Sequence, residues 1–306
     1  MIAKPNQIHE GFAPIVFNCI CCDNRLEQRD EYCTECNTPT VLSYTVATRG
    51  GAQSFVSVLG ASNAGKTVYL GLLLDILSKG DKSFRGFATG AFSMDLQEQV
   101  VTALEGRTFP EKTPSEADLW KWLHCQISVA EKKKARNVDL ISPDLAGEAI
   151  AMEVNQMGTY PVIGHVVKKS NGIMILCDSM RVRDSGSGED LFAIKLASYI
   201  AHMHGLENQR SSWRTRTAGP AVAIVFTKCD GCPEALEDPR QFAANNTSRL
   251  YEYCGEKFKR HEFFASSVAG SSGLLADSRG RRMRIPFHIQ PCGVLEPLRW
   301  IISQDS

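Results

Sequence analysis

The sequence predicts a three-layer α/β domain with a six-stranded, mostly parallel sheet, preceded by a small four-cysteine module. From Gln53 onward, short apolar runs alternate with helical patterns, as is typical of an α/β sheet. A glycine-rich turn joins the first run to the first helix, and cysteines in close pairs precede them both. These three observations fix the fold class before any function is considered.

The elements follow from hydrophobic periodicity and length. The polar stretch 130–137 lies between two apolar runs and predicts a hairpin, which makes one edge of the sheet antiparallel. The predicted strands are 54–59, 119–129, 138–142, 172–177, 221–226 and 262–266. The predicted helices are 66–77, 94–104, 191–203, 242–258 and 294–302.

Composition and charge exclude several classes of protein. The chain has 306 residues with 34 basic and 34 acidic side chains, so general binding to nucleic acid by bulk charge is not expected. No stretch reaches the roughly 18 apolar residues of a membrane helix, and residues 1–11 lack the apolar run of a signal peptide. We therefore expect a cytoplasmic protein with no membrane partner.

Composition also divides the chain along its length. We expect a tail at 1–17, a cysteine module at 18–40, a linker at 41–52 and the α/β domain at 53–306. The linker expectation depends on Gly50 and Gly51, which are plausible hinge residues.

A phosphate-binding loop is the most specific motif. Residues 60–67 fit G-x-x-x-x-G-K-[ST] between a strand and a helix, which is the context this motif requires. Its glycines let backbone N–H groups surround phosphates, Lys66 faces the outer phosphate, and the Thr67 hydroxyl is placed for Mg²⁺. The bland alternative is a glycine-rich turn without a ligand. The residues expected to hold nucleotide here are Gly60, Ser62, Asn63, Ala64, Gly65, Lys66, Thr67 and Val68.

Three weaker motifs follow in order, each at a strand end. Asp144 can hold Mg²⁺ and Gly147 can offer its N–H to the terminal phosphate. Asp230 can accept hydrogen bonds from the N1–H and amino group of guanine, whereas adenine leaves such a carboxylate unpaired. The Lys228 stem can cover the base. Ligands collect at the carboxyl ends of strands in such sheets, so the joint order carries more weight than each motif. The remaining candidates at the base are Thr227, Ser266 and Ser267.

On these motifs, the segment from Gln53 to Ser306 resembles the TRAFAC-class, Ras-like P-loop GTPases. The resemblance implies a switch that binds GTP or GDP with Mg²⁺ and hydrolyses GTP. It also implies a switch-one threonine before the second strand, for which we favour Thr113 over Thr89 and Thr108. The residues it implies for catalysis are Lys66, Thr113, Gly147 and Glu148, and those for Mg²⁺ are Thr67, Thr113 and Asp144.

The chain departs from that family where the attacking water is oriented. Glu148 follows Gly147, where Ras-like proteins often have Gln and translation factors have His. A carboxylate beside a polyphosphate is repelled, although it can also act as a base or point away. Hydrolysis is therefore expected to be slow or partner-dependent.

The N-terminal cysteines, the long segment before Thr113 and the C-terminal stretch 286–300 resemble, more narrowly, the bacterial double-GTPase proteins of conflict or antiviral systems. This resemblance implies a regulatory or effector partner, specifically a second GTPase.

The cysteine module has the spacing of a zinc ribbon. Cys19, Cys22, Cys33 and Cys36 form two C-x-x-C turns, each of which can present two thiolates to one tetrahedral ion. So short a segment cannot build its own core, so Zn²⁺ would supply the folding energy. Free thiols on a disordered tail are the alternative, and docking is a better expectation than thiol chemistry.

Two other functions stay open at this stage. Glu148 is compatible with a nucleotide-binding interaction module that never hydrolyses. The basic run 279–284, together with the ribbon, is compatible with a P-loop ATPase acting on nucleic acid, although a surface loop is the simpler interpretation. Asp178 would be the Mg²⁺-associated acid of such an ATPase; we interpret it instead as a structural strand-end residue.

Overall fold

The computed structural model describes residues 15–80, 83–130, 135–185, 187–207, 219–276 and 282–304. The predicted tail therefore lies outside the described residues up to position 14, as do 279–281 of the basic run. No helix in these ranges is both long and apolar enough to cross a bilayer.

The strands and helices come in the following order. The strands are β1 Val16–Asn18, β2 Arg25–Glu27, β3 Ala52–Gly60, β4 Phe84–Ala88, β5 Trp122–Ala130, β6 Ala135–Pro143, β7 Gly172–Asp178, β8 Ala221–Thr227, β9 His261–Ala265, β10 Ser267–Ala276 and β11 Arg282–Cys292. The helices are α1 Thr40–Arg49, α2 Lys66–Ser78, α3 Ala91–Glu105, α4 Gly147–Asn155, α5 Pro161–Lys169, α6 Ser179–Ser185, α7 Ser187–Met203, α8 Pro233–Glu237, α9 Pro239–Asn246, α10 Ser248–Lys257 and α11 Glu296–Ser303.

The central sheet has the order β4-β5-β6-β3-β7-β8-β9, with seven strands in the described part of the chain. The strands β6, β3, β7, β8 and β9 are parallel to one another, and β4 and β5 form an antiparallel edge. The predicted mostly parallel α/β sheet is confirmed. The predicted number of six was too low because β4 is short and contains Gly86, so its apolar pattern is weak.

Hydrophobic cores cover both faces of this sheet, which gives the predicted three layers. In β3, Phe55 and Leu59 pack on one face with α4, α5 and α7, while Val56 and Val58 pack on the other with α2, α3 and α11. A strand buried on both faces has a nearly continuous apolar sequence, which is why 54–59 could be predicted.

The segment 41–52, predicted as a linker, instead carries α1. This helix buries Leu42 and Val46 in a core shared with the cysteine module and Phe55. Gly50 has φ 62° and ends the helix, a common role for a glycine in the left-handed conformation. The glycine pair that suggested a hinge is therefore a helix stop, and the module packs directly on the α/β domain.

Candidate functional site

A cavity of about 410 Å³ lies at the carboxyl ends of β3, β6 and β8. Five separate segments line it, and each of them contains residues that the sequence predicted to touch nucleotide. The predicted residues in its lining are Ser62, Asn63, Ala64, Gly65, Lys66, Thr67, Val68, Thr113, Gly147, Glu148, Thr227, Lys228, Asp230 and Ser266. Gly60, Asp144 and Ser267 lie behind this lining, where they contact residues that form it.

Lys66 is the cation of the phosphate loop. Its ammonium group donates to the carbonyl oxygens of Gly60 and Ala61 at 3.1 and 3.0 Å, and the side chain is buried. Burial lowers the pKa of Lys66 to about 8, although the nearby Asp144 and Glu148 oppose that shift. Carbonyl oxygens carry no full charge, so a phosphate arriving in the cavity would further stabilise the charge of this buried ammonium.

Three oxygen-bearing side chains meet at the first turn of α2. The Thr67 and Thr113 hydroxyls are 2.8 Å apart, and the Asp144 carboxylate accepts from Thr67 at 3.0 Å and from Thr113 at 2.8 Å. Burial raises the pKa of Asp144, and the two hydroxyls and Lys66 counteract it. Hydroxyl and carboxylate oxygens suit Mg²⁺, whose charge would keep this carboxylate ionised, so the residues fit that ion.

The structure places Thr113, rather than either alternative, at this oxygen cluster. Trp120 holds the chain just after it, because its indole N–H donates to the carbonyl of Pro114 at 2.9 Å. The Thr108 hydroxyl instead bonds to the carbonyl of Ala103 at the end of α3, and the backbone N–H of Thr89 pairs with His124. The segment 109–113 therefore lines the cavity near the phosphate loop, where the Thr113 side chain contacts Thr67 and Asp144.

Gly147 lies directly against the phosphate loop. A Cβ atom on Gly147 would be 2.5 Å from the backbone nitrogen of Ser62, a distance that no larger residue can accommodate without moving the loop. Gly147 is also the first residue of α4, so its N–H belongs to the unpaired donors of a helix start. The close approach explains why glycine is needed here.

Glu148 is already paired within the site. The Ser62 hydroxyl donates to Glu148 Oε1 at 2.6 Å, and Lys112 Nζ lies 3.5 Å from the same oxygen. The Ser62 hydrogen bond, with a smaller effect of Lys112, lowers the pKa of Glu148. Sequence reasoning missed Lys112; its position next to Thr113 was the available signal.

The base end of the cavity is tied to the phosphate loop. The Thr227 hydroxyl donates to the carbonyl of Ala64 at 2.9 Å, which joins the end of β8 to the loop. Lys228 has φ 59°, and its ammonium group lies 2.5 Å from Asp178 Oδ2. Asp178 ends β7, as the strand-end interpretation expected, and its ion pair holds the lysine expected to cover the base.

Asp230 faces the same cavity, and a serine hydroxyl lies within hydrogen-bond distance of each of its carboxylate oxygens. Ser267 approaches Oδ1 at 3.1 Å, and Ser272 donates to Oδ2 at 2.7 Å. The neighbouring Ser266 bridges two strand ends, because its N–H donates to the carbonyl of Phe226 and its carbonyl accepts from Cys229. Sequence reasoning missed Ser272, which lies on β10 in a hairpin that was not predicted.

The predicted cysteine ligands converge at the N-terminal module. The sulfur atoms of Cys19, Cys22, Cys33 and Cys36 all lie within 4.8 Å of one another. Four sulfurs bound to one tetrahedral Zn²⁺ at about 2.3 Å would lie about 3.8 Å apart, so the group could hold such an ion. Cys21 does not belong to the group and is buried in the adjacent core.

The turns after each cysteine pair have the conformation that this grouping requires. Asp23 and Asn37 have φ 62° and 51°, and the N–H of each donates to the carbonyl of the first cysteine in its pair. Asp and Asn tolerate this left-handed conformation better than most residues with a Cβ atom, so glycine is not needed here.

Burial and close sulfur contacts disfavour ionisation of the cysteine cluster. The pKa of Cys19 rises to about 12, chiefly because its sulfur bonds to that of Cys36 and because it is buried. Thiolates this close to one another need a cation to offset their charge, which is the role a bound metal would have.

The cysteine module lies near the amino ends of the strands, whereas the cavity lies at their carboxyl ends. Asp23 pairs with Lys169 at 3.1 Å, at the end of α5 that leads into β7, and therefore near the amino ends of the strands. At this end of the strands, Arg49 of α1 approaches Asp139 of β6 at 3.4 Å. The two candidate sites are therefore separated by the length of the sheet.

Comparison with known proteins gives one specific match. The family model described as Double-GTPase 2 matches residues 54–283. No curated protein sequence matches the chain.

Solved structures show more distant likeness. A nucleolar GTP-binding protein 1 from Plasmodium falciparum is 12% identical with a TM-score of 0.38, over 83% of this chain and 86% of that one. The Ski7 GTPase-like domain of S. cerevisiae, bound to GDP and inorganic phosphate, is 13% identical with a TM-score of 0.42, over 86% of this chain. The match spans about half of that second protein, 52% of its chain.

Proposed function

The chain belongs to the Double-GTPase 2 family and is a GTP-binding protein, and we propose that it hydrolyses GTP as a molecular switch controlled by a partner. The observation that carries this proposal is the convergence of Thr67, Thr113 and Asp144 on one oxygen cluster. Residues from three distant segments meet there, so a ligand at this point would couple the phosphate loop to the segment that carries Thr113 and to the chain after β6.

We assign Mg²⁺ to that cluster, with Thr67, Thr113 and Asp144 as the residues that hold it directly or through water. When bound, the ion would neutralise charge on the phosphate oxygens. Thr113 is the residue that makes the site sensitive to the nucleotide, because it lies on a segment held at Trp120 but exposed at Lys112. Loss of the γ-phosphate would remove an interaction that holds Thr113 at the oxygen cluster.

In hydrolysis, a water oxygen attacks the γ-phosphorus, the bond from phosphorus to the β,γ-bridging oxygen breaks, and the water proton passes to phosphate oxygen. Glu148 has a lowered pKa, so it is ionised and is a weak base. We therefore give it the role of orienting the water by accepting a hydrogen bond, with Lys112 offsetting its negative charge. Lys66 stabilises charge on the phosphate, as its buried position requires.

The phosphate end is open, which supports partner control. The side chains of Lys112 and Glu148 are 64% and 45% exposed, so solvent weakens their attraction and a partner surface could exclude that solvent. We propose that this partner is a second GTPase, which the family's name suggests, acting in a bacterial defence system.

We further assign Zn²⁺ to the four-cysteine cluster of the ribbon at 18–40, whose outer surface would dock a protein. The thiols that bind zinc stay reduced in the cytoplasm, and we place the protein there. This ribbon and the α/β domain at 53–306 are proposed as the two functional units, joined through α1.

One observation favours a second function. Glu148 is bonded to Ser62 at 2.6 Å, beside the position expected for the γ-phosphate, and a fixed carboxylate there could block hydrolysis. The chain would then hold GTP without consuming it. The ATPase alternative has less support, because Asp178 bonds to Lys228 instead of approaching Thr67.

Single-turnover release of labelled γ-phosphate, with protein in excess over GTP, separates these functions. We expect slow release from the wild type and a fall of about tenfold or more in Glu148→Ala, because the oxygen that orients the water is lost. Glu105→Ala removes an exposed glutamate on α3 in the same way and should have no effect. Faster release from Glu148→Ala would identify Glu148 as the block, and no release from either protein would favour the non-hydrolysing function.

A further inference from the structure

The carboxylate that faces the base is held by a residue outside the predicted nucleotide motifs. Ser272 donates to Asp230 Oδ2 at 2.7 Å, and its side chain is partly buried in the wall of the cavity. A carboxylate oxygen can accept more than one hydrogen bond. Asp230 can therefore keep this bond and still accept from the N1–H and amino group of guanine.

Ser272 reaches the site because of the hairpin formed by β10 and β11. β10 begins at Ser267, immediately after Ser266, and its residues Val268, Ala269 and Ser272 line the cavity. The base of the hairpin is fixed by the Tyr69 hydroxyl of α2, which donates to the carbonyl of Val294 at 2.7 Å. The chain just after β11 is therefore anchored to the phosphate-loop helix, and β11 pairs with β10, the strand that carries Ser272.

Ser267, the other serine near Asp230, cannot orient this carboxylate by itself. Ser267 Oγ lies 3.1 Å from Asp230 Oδ1 and 2.5 Å from the carbonyl oxygen of Ala269. A hydroxyl has one proton, so Ser267 can donate to only one of these two acceptors at a time. The shorter distance favours Ala269, which leaves Ser272 as the more important hydroxyl for the orientation of Asp230.

We propose that Ser272 is a positioning residue for guanine selection, which orients the Asp230 carboxylate toward the base. The inference rests on the proposed role of Asp230 in reading guanine. Rotation of an unrestrained carboxylate would weaken two hydrogen bonds to guanine, whereas adenine offers no donors at those positions. Ser272 therefore raises the affinity for guanine nucleotides over adenine nucleotides, and it has little effect on the binding of the phosphates.

The test compares Ser272→Ala with Ser271→Ala, its exposed neighbour on the same strand. Dissociation constants for GDP and ADP are measured by titration calorimetry in the full chain. We expect Ser272→Ala to bind GDP about tenfold more weakly with little change for ADP, since one hydrogen bond to a charged group is lost. Ser271→Ala should match the wild type, and Ser272→Thr, which keeps the hydroxyl, should restore most of the GDP affinity.

A purely structural effect of the hairpin would weaken GDP and ADP equally, and that outcome would overturn the inference. Unchanged or tighter GDP binding in Ser272→Ala would also overturn it, because the hydroxyl would then be idle or a competitor of the base. Asp230→Asn separates this failure from that of the proposed function. If Asp230→Asn leaves GDP affinity intact, Asp230 does not read guanine; if only Ser272→Ala is silent, the inference about Ser272 alone is wrong.

Discussion

The cysteine cluster and the nucleotide cavity are both gatherings of polar side chains, but they form in different ways. The cluster takes all its groups from residues between Cys19 and Cys36, and two similar turns orient them. The cavity takes its groups from segments spread between Ser62 and Ser272. Local chain geometry builds the first site, and sheet topology builds the second.

This difference predicts where each site obtains its stability. The β1–β2 pair of the cysteine module is only three residues long in each strand, so a metal would hold the module together. The cavity lies on a sheet with cores on both faces, so it should keep its shape without ligand. Loss of zinc should therefore unfold the cysteine module, whereas loss of nucleotide should leave the cavity folded and empty.

The largest effect is expected on removing a metal ligand. Cys33→Ala should lose zinc and unfold the module, because structural zinc contributes about 10–16 kcal/mol of binding free energy at neutral pH. Cys21→Ala is the matched control, since Cys21 is also buried but lies outside the sulfur cluster. Zinc content by mass spectrometry should be one ion per chain in the wild type and in Cys21→Ala, and near zero in Cys33→Ala.

GDP affinity in the same variants sharpens the comparison. It should change by no more than about twofold in Cys33→Ala, because the two sites lie at opposite ends of the sheet and distant sites act independently. Zinc retained by Cys33→Ala would disprove the ligand assignment, and a large loss of GDP binding would show that the cavity depends on the ribbon.

An intermediate effect is expected from protonation of Lys66. Its pKa is about 8 in the folded chain against an ordinary value of 10.5, so the unfolded state binds more protons between these values. The contribution of Lys66 to stability therefore increases as pH rises from 8 to 10.5, and the buried charge costs stability below that window. A bound phosphate would raise the pKa again, so GDP binding should take up a proton.

Calorimetry in buffers of different ionisation enthalpy measures that uptake. It should increase from about 0.1 proton per GDP at pH 7 to about 0.8 at pH 8.5, as neutral Lys66 becomes more common. Lys66→Arg cannot deprotonate in this range and should show no such increase. Uptake that does not depend on pH would mean that Lys66 stays charged in the free protein.

The smallest effect is expected at the ion pair between the cysteine module and helix α5 of the α/β domain. Asp23 is 69% exposed and Lys169 35% exposed, so Lys169→Ala should lower the free energy of unfolding by less than about 1 kcal/mol. Thermal unfolding measures the change, and Lys168→Ala on the same helix is the control. A larger loss would show that this pair, rather than the shared apolar core, holds the ribbon on the domain.

Most of the phosphate end of the site could be predicted from the sequence. The phosphate loop and the strand end around Asp144 have local signatures, as does the strand end around Thr227 at the base end, and the parallel strands bring all three to their carboxyl ends. Thr113 required a choice among three threonines, because the segment that carries it has no regular structure of its own. The structure places Thr113 at the oxygen cluster, although its role in catalysis stays a prediction.

The missed side-chain pairs depend on contacts between distant segments, whereas the missed elements had misleading local composition. The pairs Lys112–Glu148 and Lys228–Asp178 join residues far apart in the chain, and neither has a local pattern. The hairpin that carries Ser272 was missed because it includes glycine and several serines, which are poor signals for a strand. Helix α1 was missed because its C-terminal glycines suggested a hinge.

The sequence by itself determined the class of sheet, the phosphate loop and the four clustered cysteines, because each depends on periodicity or spacing within a short segment. Only the tertiary structure decided which threonine meets Asp144, which lysine offsets Glu148 and which serine holds Asp230. Those pairings depend on where separate strands end relative to one another, and that is fixed by the packing of the two cores rather than by any local pattern.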